Sequence, residues 1–318
     1  MTGRPILVTG GNGQVASALR AAGTDALGAA GAGTLCVTGR PAFDFDRPDS
    51  IAAAFHAAAP WLVVNAAAYT AVDAAEKDAA AAFRANRDGP AVLARLCGAA
   101  GIPLIHISTD YVFDGAKGAP YLETDPVAPQ CVYGASKLAG EQAVLAACPR
   151  AVVLRTSWVY APTGKNFVRT MLAAGRTRDR LTVVADQKGC PTAAADLAAA
   201  ILAMAQRIAA SGWDDAYAGV FHAAGTAWTT WHGLATAVFE AAGQHGAPVP
   251  RVDPITTADW PTPARRPADS RLDCGKLEAV WGIRLPCWRD SLRRTVETIC
   301  AGTWPSAAGD GEARPRQK

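Results

Sequence analysis

A short apolar run at residues 5–9 leads directly into a glycine-rich turn and then into a helical pattern. The turn contains Gly10, Gly11 and Gly13. Glycines at these places permit a tight turn and a close approach of the backbone, and the start of the helix offers free N–H groups and the positive end of its dipole. The spacing is G-x-x-G-x-x-A, with Ala16 as the small residue, rather than G-x-G-x-x-G. In this strand–turn–helix context we predict a site for a dinucleotide phosphate.

Strands and helices alternate through the first half of the chain. Further apolar runs that are typical of strands lie at residues 35–38, 61–65, 102–107 and 151–155, with helical patterns between them. This alternation predicts an α/β fold: a doubly wound, Rossmann-like parallel sheet with helices on both faces. The second half is less regular and is rich in proline from 248 to 267. It favours a smaller C-terminal substrate-binding lobe over the carboxyl edge of the sheet.

The same pattern suggests where the chain divides. We expect residues 1–155 to form the cofactor-binding domain, with sheet and helix elements from about 181–245 returning to it. Residues 156–180 and 246–300 would then form the substrate-binding lobe. Residues 302–318 are small and polar, and such a segment buries too little apolar surface to stay ordered. We therefore predict a disordered tail.

Composition and charge exclude several classes of protein. With 50% hydrophobic and 19% charged residues, the chain has an ordinary globular composition. The net charge is +3 and no block of Lys or Arg occurs, which argues against nucleic acid and membrane surfaces as partners. No signal core and no apolar run of about 20 residues is seen, so we expect a cytoplasmic protein. The eight cysteines lack metal-binding or paired spacing, so neither a metal site nor a disulfide framework is expected.

Residues after the second and third strands are candidate contacts to a dinucleotide. An arginine after the second strand accommodates the 2′-phosphate of NADP, whereas an acidic residue would hold the 2′-hydroxyl of NAD. Arg40 occupies this place and favours NADPH, the alternative being a solvated loop arginine. Asp44 and Phe45 are candidates for the adenine edge. The alanines at 66–68 leave room for a ligand at the end of the third strand, although alanine is common throughout the chain.

Tyr133 and Lys137 are four residues apart at the head of a predicted helix, so both lie on one helical face. A free phenol has a pKa of about 10 and is a poor acid at neutral pH. A nearby ammonium stabilises the phenolate, so we expect Lys137 to lower the pKa of Tyr133 and make it a proton donor to a carbonyl. Thr109 ends the 102–107 strand region, and its hydroxyl is a candidate to bond the same oxygen. An exposed helix that merely carries both residues is the alternative.

Longer motifs then point to a family. They are Asn65–Glu76 (NAAAYTAVDAAE), Ser108–Gly115 (STDYVFDG), Val132–Glu141 (VYGASKLAGE), Leu154–Tyr160 (LRTSWVY) and Arg265–Leu272. With the glycine turn, they resemble the extended short-chain dehydrogenase/reductases, and most closely the dTDP-4-dehydrorhamnose reductase family. The resemblance spans about residues 5–295. It implies that NADPH, or NADH, reduces the C4 ketone of a dTDP-6-deoxy-4-keto-L-sugar to give dTDP-L-rhamnose.

The resemblance also implies roles for individual residues. The catalytic residues would be Thr109, Tyr133 and Lys137, the last two also contacting the cofactor. The other cofactor contacts would be Gly10, Gly13, Gln14, Val15, Ala67, Ala68 and Thr70, in addition to Arg40, Asp44, Phe45 and Ala66, which their positions after the strands already suggest. The sugar nucleotide would be bound by Thr109, Asp110, Tyr111 and Trp158, with Arg265 and Arg271 as diphosphate clamps, because forked guanidinium groups bind phosphate oxygens bidentately.

Two residues depart from the family pattern. The family usually has Asn at the position of Asp269 and often Asn at that of Cys131. An extra carboxylate beside a diphosphate repels it unless an arginine compensates the charge, and Arg265, Arg266 and Arg271 are the candidates. Some relatives bind Mg²⁺ at a dimer interface, but no carboxylate cluster in this sequence calls for it. The oligomeric state is left open between monomer and homodimer.

Two other classes of function stay open. Related proteins serve as a non-catalytic, NADP-binding regulatory subunit of methionine adenosyltransferase. Others are epimerases or reductases that act on another nucleotide-sugar. The intact set of Thr109, Tyr133 and Lys137 argues against a purely regulatory role.

Overall fold

The computed structural model describes residues 3–29 and 33–301, without the side chains of residues 24–29. The tail predicted to be disordered, 302–318, lies outside the described residues. Within them, the strands are β1 (Ile6–Thr9), β2 (Leu35–Thr38), β3 (Leu62–Asn65), β4 (Leu104–Thr109), β5 (Ala151–Thr156), β6 (Val159–Tyr160), β7 (Arg180–Val184), β8 (Lys188–Gly189), β9 (Thr192–Ala193), β10 (Gly219–His222), β11 (Thr229–Thr230) and β12 (Arg251–Ile255). The α-helices are α1 (Gln14–Ala29), α2 (Pro48–Ala58), α3 (Val72–Ala75), α4 (Ala79–Phe83), α5 (Gly89–Ala100), α6 (Val132–Ala147), α7 (Phe167–Gly175), α8 (Ala194–Ser211), α9 (Trp231–Gly243), α10 (Gly275–Trp281) and α11 (Trp288–Ala301).

Six strands form a central sheet in the order β10-β5-β4-β3-β1-β2. All neighbouring pairs are parallel; in register, Leu7 of β1 lies between Cys36 of β2 and Val63 of β3. Strands such as β1 and β3 are fully buried, as their continuous apolar runs predict for a sheet covered on both faces. The predicted doubly wound α/β fold is confirmed.

The two faces of the sheet bury separate apolar clusters. One cluster joins the strands to α1, α8 and α10, through side chains such as Leu19, Ile201 and Leu277. The other joins them to α2, α5 and α6, through side chains such as Ile51 and Leu93. The connection from β1 to β2 runs through α1 on one face of the sheet. The connection from β2 to β3 runs through α2 on the opposite face.

The 181–245 stretch differs in part from the expectation that it returns to the first domain. Of its elements, β10 is a strand of the central sheet and α8 packs on one face of it. Strand β7 instead pairs with β12 in a small parallel sheet, and α9 packs with α7 and α11 through Val238, Leu172 and Leu292. A single sequence does not state which strands pair, because their partners are decided by tertiary packing. The division of the chain into two lobes stays a proposal.

Helix α8 is the one helix of residues 3–29 and 33–301 that is long and apolar enough to cross a membrane by length and composition. Half of it is buried inside the protein, and the same test is passed by core helices of soluble proteins. Its buried side chains, Leu197 and Ile201 among them, pack against α1 and the sheet. We therefore describe α8 as a core helix of this fold.

Candidate active site

The glycine turn lies where parallel sheets of this type bind ligands. The connections from β1 and β3 diverge to opposite faces, and the crevice outside the carboxyl ends of such strands is the usual binding place. Gly10 has φ 108°, and a Cβ atom on it would lie 2.8 Å from the carbonyl oxygen of Ala66. Gly11 has φ 54°, and its Cβ would lie 3.3 Å from Gly39 Cα. The bare backbone at the start of α1 therefore fits a dinucleotide phosphate.

Two residues after the glycines have partners within the protein. The Gln14 side-chain oxygen accepts a hydrogen bond from Asn166 Nδ2 at 2.9 Å, and its amide donates to the Val159 carbonyl at 3.5 Å. Val15 packs against the core between the sheet and α8. Gly13 is exposed at the N-terminus of α1. The glycine turn is thus attached to the loop before α7 through Gln14, a connection that the sequence did not reveal.

A buried hydrogen-bond network holds the loop after β3. Asn65 Oδ1 accepts from Thr9 Oγ1 at 2.6 Å and from the Ala67 backbone at 3.2 Å. Asn65 Nδ2 is paired with His106 Nδ1 at 2.9 Å. Burial is the main cause that holds the pKa of His106 below its usual value. The predicted cofactor residues at 66–68 and Thr70 follow this network, with Ala68 and Thr70 exposed.

The residues predicted to bind the adenosine half differ in their surroundings. Phe45 packs against the start of α5, where a Cβ on Gly89 would lie 2.1 Å from its ring, and meets Phe43 edge-on at 5.2 Å. The Asp44 carboxylate accepts from the Asp46 backbone at 3.1 Å. Arg40 is exposed beyond the end of β2, and has no ion-pair partner in the described part of the chain. Of these residues, Arg40 is the one with a free polar group to offer a phosphate.

The three predicted catalytic residues come together at the carboxyl end of β4. Thr109 is the last residue of β4, while Tyr133 and Lys137 lie in the first two turns of α6. Lys137 is 2% exposed, and its ammonium donates to the Ile107 carbonyl at 2.7 Å. Cys131 caps α6, since its sulfur accepts from the Gly134 backbone at 3.4 Å. The sulfur of Cys131 therefore satisfies one of the free N–H groups at the start of α6.

The electrostatics of Tyr133 differ from the expectation. Burial raises the pKa of Tyr133, and the Thr109 side chain, through a hydrogen bond, is the group that opposes this rise. Burial lowers the pKa of Lys137 to about 8, against the attraction of Glu141. Desolvation disfavours both charged forms at once, so the pKa of Tyr133 lies above its usual value, and the expectation that it is lowered is wrong.

A buried ion pair that the sequence analysis missed lies beneath these residues. Glu141 accepts from Arg155 Nη2 at 2.7 Å and Nε at 3.0 Å, and also from the Ser108 hydroxyl. Both charged side chains are about 5% exposed or less. One signal was present in the sequence: Glu141 follows Lys137 by four residues and so shares its helical face. The pair joins α6 to the ends of β4 and β5.

The predicted sugar contacts Asp110 and Tyr111 form a 3₁₀ turn with Val112, directly after β4. Asp110 is 1% exposed and accepts a hydrogen bond from Thr109 Oγ1 at 3.0 Å. The Tyr111 backbone donates to Thr109 Oγ1 at 3.2 Å, and its ring meets Tyr133 edge-on at 5.6 Å. The Thr109 hydroxyl therefore connects this turn to the phenol of Tyr133 through hydrogen bonds.

Trp158 belongs to an aromatic stack. Its ring is parallel to that of Trp231, with centroids 3.5 Å apart and a 7° angle. Gly189 contacts the same ring, and a Cβ there would lie 2.4 Å from Trp158 Cε2. The backbone of Trp158 has φ 48°, a conformation that is rare for a bulky residue and often found at functional sites. Sequence reasoning found Trp158 but neither stacking partner.

The arginines of the 265–271 segment have different environments. Arg265 is exposed, whereas Arg271 donates to Asp269 through Nε at 2.8 Å and Nη2 at 2.6 Å. The extra carboxylate is therefore compensated, by one of the three arginines considered for it. Arg266 instead binds Asp73 on α3, at 3.0 and 2.7 Å, and that bond is the main cause lowering the pKa of Asp73. The Asp73–Arg266 pair, which the sequence did not reveal, attaches this segment to α3.

In the described ranges, no group of three or more His, Cys, Asp or Glu side chains is arranged to hold a metal ion. The eight cysteines are free thiols. Five of them, Cys97, Cys131, Cys148, Cys190 and Cys300, are buried.

Comparisons with known proteins agree with this geometry. A family model described as the RmlD substrate binding domain matches residues 4–300. A dTDP-4-dehydrorhamnose reductase of Sinorhizobium fredii is 47% identical over 291 residues, covering 92% of this chain and 96% of that protein. A probable dTDP-4,6-dihydroxy-2-methyloxan-3-one 4-ketoreductase of Streptomyces antibioticus is 42% identical over 268 residues, covering 84% and 88%.

A solved structure shares the fold. The dTDP-4-dehydrorhamnose reductase of Bacillus anthracis, crystallised in complex with NADP, superposes with a TM-score of 0.82 at 30% identity, covering 93% of this chain and 99% of that one. The resemblance that the motifs predicted is confirmed. The chain belongs to the RmlD substrate binding domain family.

Proposed function

We propose that this protein is an NADPH-dependent oxidoreductase that reduces the C4 ketone of dTDP-4-dehydro-6-deoxy-L-mannose (dTDP-4-dehydro-β-L-rhamnose) to give dTDP-L-rhamnose. One observation carries the proposal: Thr109, Tyr133 and Lys137 meet at the same carboxyl edge of the sheet as the glycine turn. The dTDP-4-dehydrorhamnose reductase activity for which the Sinorhizobium relative is named and the NADP bound in the Bacillus structure support the same substrate and cofactor.

The chain's own residues then have separable tasks. Bound NADPH would supply hydride to the ketone carbon. Tyr133 would donate its proton to the ketone oxygen, and Thr109 would hold that oxygen or the phenol through its hydroxyl. Lys137, one helical turn from Tyr133, would stabilise the phenolate that remains, since a nearby cation favours the charged form. The Glu141–Arg155 pair beneath them would fix α6 against β4 and β5.

The diphosphate contacts remain part of the proposal. Arg265 is exposed and has no ion-pair partner within the described residues, so its guanidinium is available to phosphate oxygens. Arg271 already forms an ion pair with Asp269. It would therefore bind a diphosphate as a paired rather than a free cation. Monomer or homodimer state and cytoplasmic location stay predictions.

An assay with pure protein tests the proposed function. NADPH consumption is followed at the nicotinamide absorbance band with a panel of dTDP-4-keto-6-deoxy sugars, and the sugar products are identified. We expect one NADPH consumed for each dTDP-L-rhamnose formed. An epimerase would convert sugar without net NADPH loss, and a regulatory subunit would bind NADPH and turn over nothing. Preference for another sugar of the panel would correct the substrate and leave the reaction type unchanged.

Arg40→Ala should weaken NADPH binding and leave NADH binding almost unchanged. A charge-assisted hydrogen bond to the 2′-phosphate contributes about 1.5–3 kcal/mol, which is roughly tenfold to more than a hundredfold in affinity. Titration of each cofactor by fluorescence measures the two constants. Arg47→Ala, which removes another exposed arginine of the same loop, is the matched control. Equal loss of both cofactors in Arg40→Ala would contradict the assignment.

Trp158→Ala should lower kcat/KM for the sugar nucleotide while NADPH affinity is kept. Aromatic contacts of this kind contribute about 0.5–1.5 kcal/mol beyond area burial, or about 2- to 13-fold. Steady-state kinetics and the melting temperature are measured together, with Trp260→Ala, at 59% exposed, as the control. A variant that melts early and loses both ligands would instead make Trp158 a core residue that holds the Trp231 stack.

A further inference from the structure

Asp110 is a buried carboxyl group with an incomplete set of hydrogen bonds. Its Oδ1 accepts from Thr109 Oγ1 at 3.0 Å. Its Oδ2 is buried and has no hydrogen-bond partner within residues 3–29 and 33–301. An ionised Asp110 would destabilise the folded protein, because its buried charge lacks a compensating partner. The oxygens of an ionised carboxylate can accept hydrogen bonds but cannot donate them. A protonated carboxyl removes the charge and gains a proton to donate.

The groups that face Asp110 come from four parts of the fold. They are Tyr111 on its own turn, Tyr133 on α6, Cys190 between β8 and β9, and Ser270 on the 265–271 segment. Beyond them, the Arg271–Asp269 pair faces Cys190, and Arg266 faces Tyr111. These four groups are neutral near pH 7, and no cation within residues 3–29 and 33–301 is among the main influences on the Asp110 carboxyl.

Thr109 has one proton to share between Asp110 and Tyr133. Its oxygen already accepts from the Tyr111 backbone at 3.2 Å, which leaves one lone pair and one proton. An ionised Asp110 takes that proton, and Thr109 then accepts the Tyr133 O–H, which points the phenolic proton away from a ketone. A protonated Asp110 donates to Thr109, whose own proton then points to the Tyr133 oxygen and leaves the phenolic proton free.

We propose that Asp110 is a positioning residue for the reduction, and that its protonated carboxyl orients the hydrogen bonds in the direction Asp110 to Thr109 to Tyr133 to the substrate oxygen. The inference rests on the proposed function. Protons balance: the Tyr133 proton goes to the alkoxide oxygen, and the phenolate that is left receives a hydrogen bond from Thr109. Repeated turnover needs one proton from solvent to restore Tyr133.

The direction of the pH dependence follows. Burial raises the pKa of Asp110 to about 6, with Ser270 and Thr109 opposing the rise. The productive protonated form is therefore lost as pH rises through that value, so kcat for the reduction should fall with increasing pH. Once Asp110 is mostly ionised, the fall approaches about tenfold for each pH unit.

The test compares pH profiles of kcat at saturating NADPH for the wild type, Asp110→Asn and Thr109→Val. The Asn amide donates as the carboxylic acid does but does not titrate, so its profile should lack the falling limb. Thr109→Val removes the hydroxyl that connects Asp110 with Tyr133, so the pH profile of its kcat should also lack the falling limb. Asp215→Asn, at an exposed site remote from Thr109, should keep it. A falling limb that survives in both site variants, or a change in KM alone, overturns the proposal.

An infrared measurement separates this proposal from the proposed function. At about pH 5.5, wild-type holoenzyme with NADP⁺ should show the C=O band of a protonated carboxyl, and the band should be missing in Asp110→Asn. The same band should fade as pH rises. Its absence from the wild type overturns the proposal whether or not the sugar is reduced. A band that is present in a protein that reduces no dTDP-4-keto sugar supports the protonation of Asp110 and refutes the proposed function instead.

Discussion

Replacing Tyr133 with Phe should lower kcat by a factor of about 10²–10⁴, the usual contribution of a positioned general acid. The ring and its packing against Tyr111 are kept, and the proton donor alone is removed. NADPH should still bind, because the glycine turn is untouched. Stopped-flow measurement of a single turnover separates the chemical step from product release, and a fluorescence titration reports cofactor affinity.

Tyr217→Phe is the matched control for this prediction. Tyr217 is also buried, and its hydroxyl has a partner in Arg207, but it lies against α8 and α10 rather than at the carboxyl edge of the sheet. We expect its kcat to stay near that of the wild type. Turnover in Tyr133→Phe within a few-fold of wild type would remove the tyrosine from the mechanism.

Arg155→Ala should destabilise the protein by about 3–5 kcal/mol, because removing one partner of a buried ion pair leaves an uncompensated buried charge. The charge left behind is Glu141, whose side chain is 2% exposed. Chemical denaturation followed by circular dichroism measures the loss. Arg84→Ala, which breaks the exposed pair with Asp46, should cost less than about 1 kcal/mol.

A double variant tests whether the uncompensated charge is the cause. Replacing a buried pair with apolar residues of similar volume is often neutral or stabilising. Arg155→Met combined with Glu141→Leu should therefore recover much of the stability that Arg155→Ala loses. If the double variant is as unstable as the single one, packing around the ends of β4 and β5 is the cause instead.

Local patterns were enough to predict the sheet and to propose Thr109, Tyr133 and Lys137 as residues that lie close together. Strand β1 and its glycine turn are continuous in sequence, and so are Tyr133 and Lys137, which the helical repeat places on one face. Parallel strands also bring their carboxyl ends to one edge, so Thr109 could be placed near them from the order of elements alone. Each of these inferences needs only short-range periodicity and one topological rule.

Contacts between distant segments could not be predicted in the same way. The stack of Trp158 on Trp231, the pairing of Arg266 with Asp73 and the pairing of β7 with β12 join residues far apart in the chain. Nothing in a single sequence states which arginine meets which aspartate. The burial that raises the pKa of Tyr133 is likewise a property of the assembled fold, which is why the sequence predicted the opposite direction.

The late arrival of α8 has a consequence for synthesis on the ribosome. Strands β1 to β5 are complete at Thr156, but one face of their sheet is closed by α8 and α10, which are synthesised later. Until Ile201 is available, apolar side chains such as Val64 and Ile105 lack part of the cluster that buries them in the folded protein. The nascent N-terminal half therefore exposes apolar surface of the kind that chaperones bind. We therefore expect folding of the central sheet to wait for the C-terminal elements.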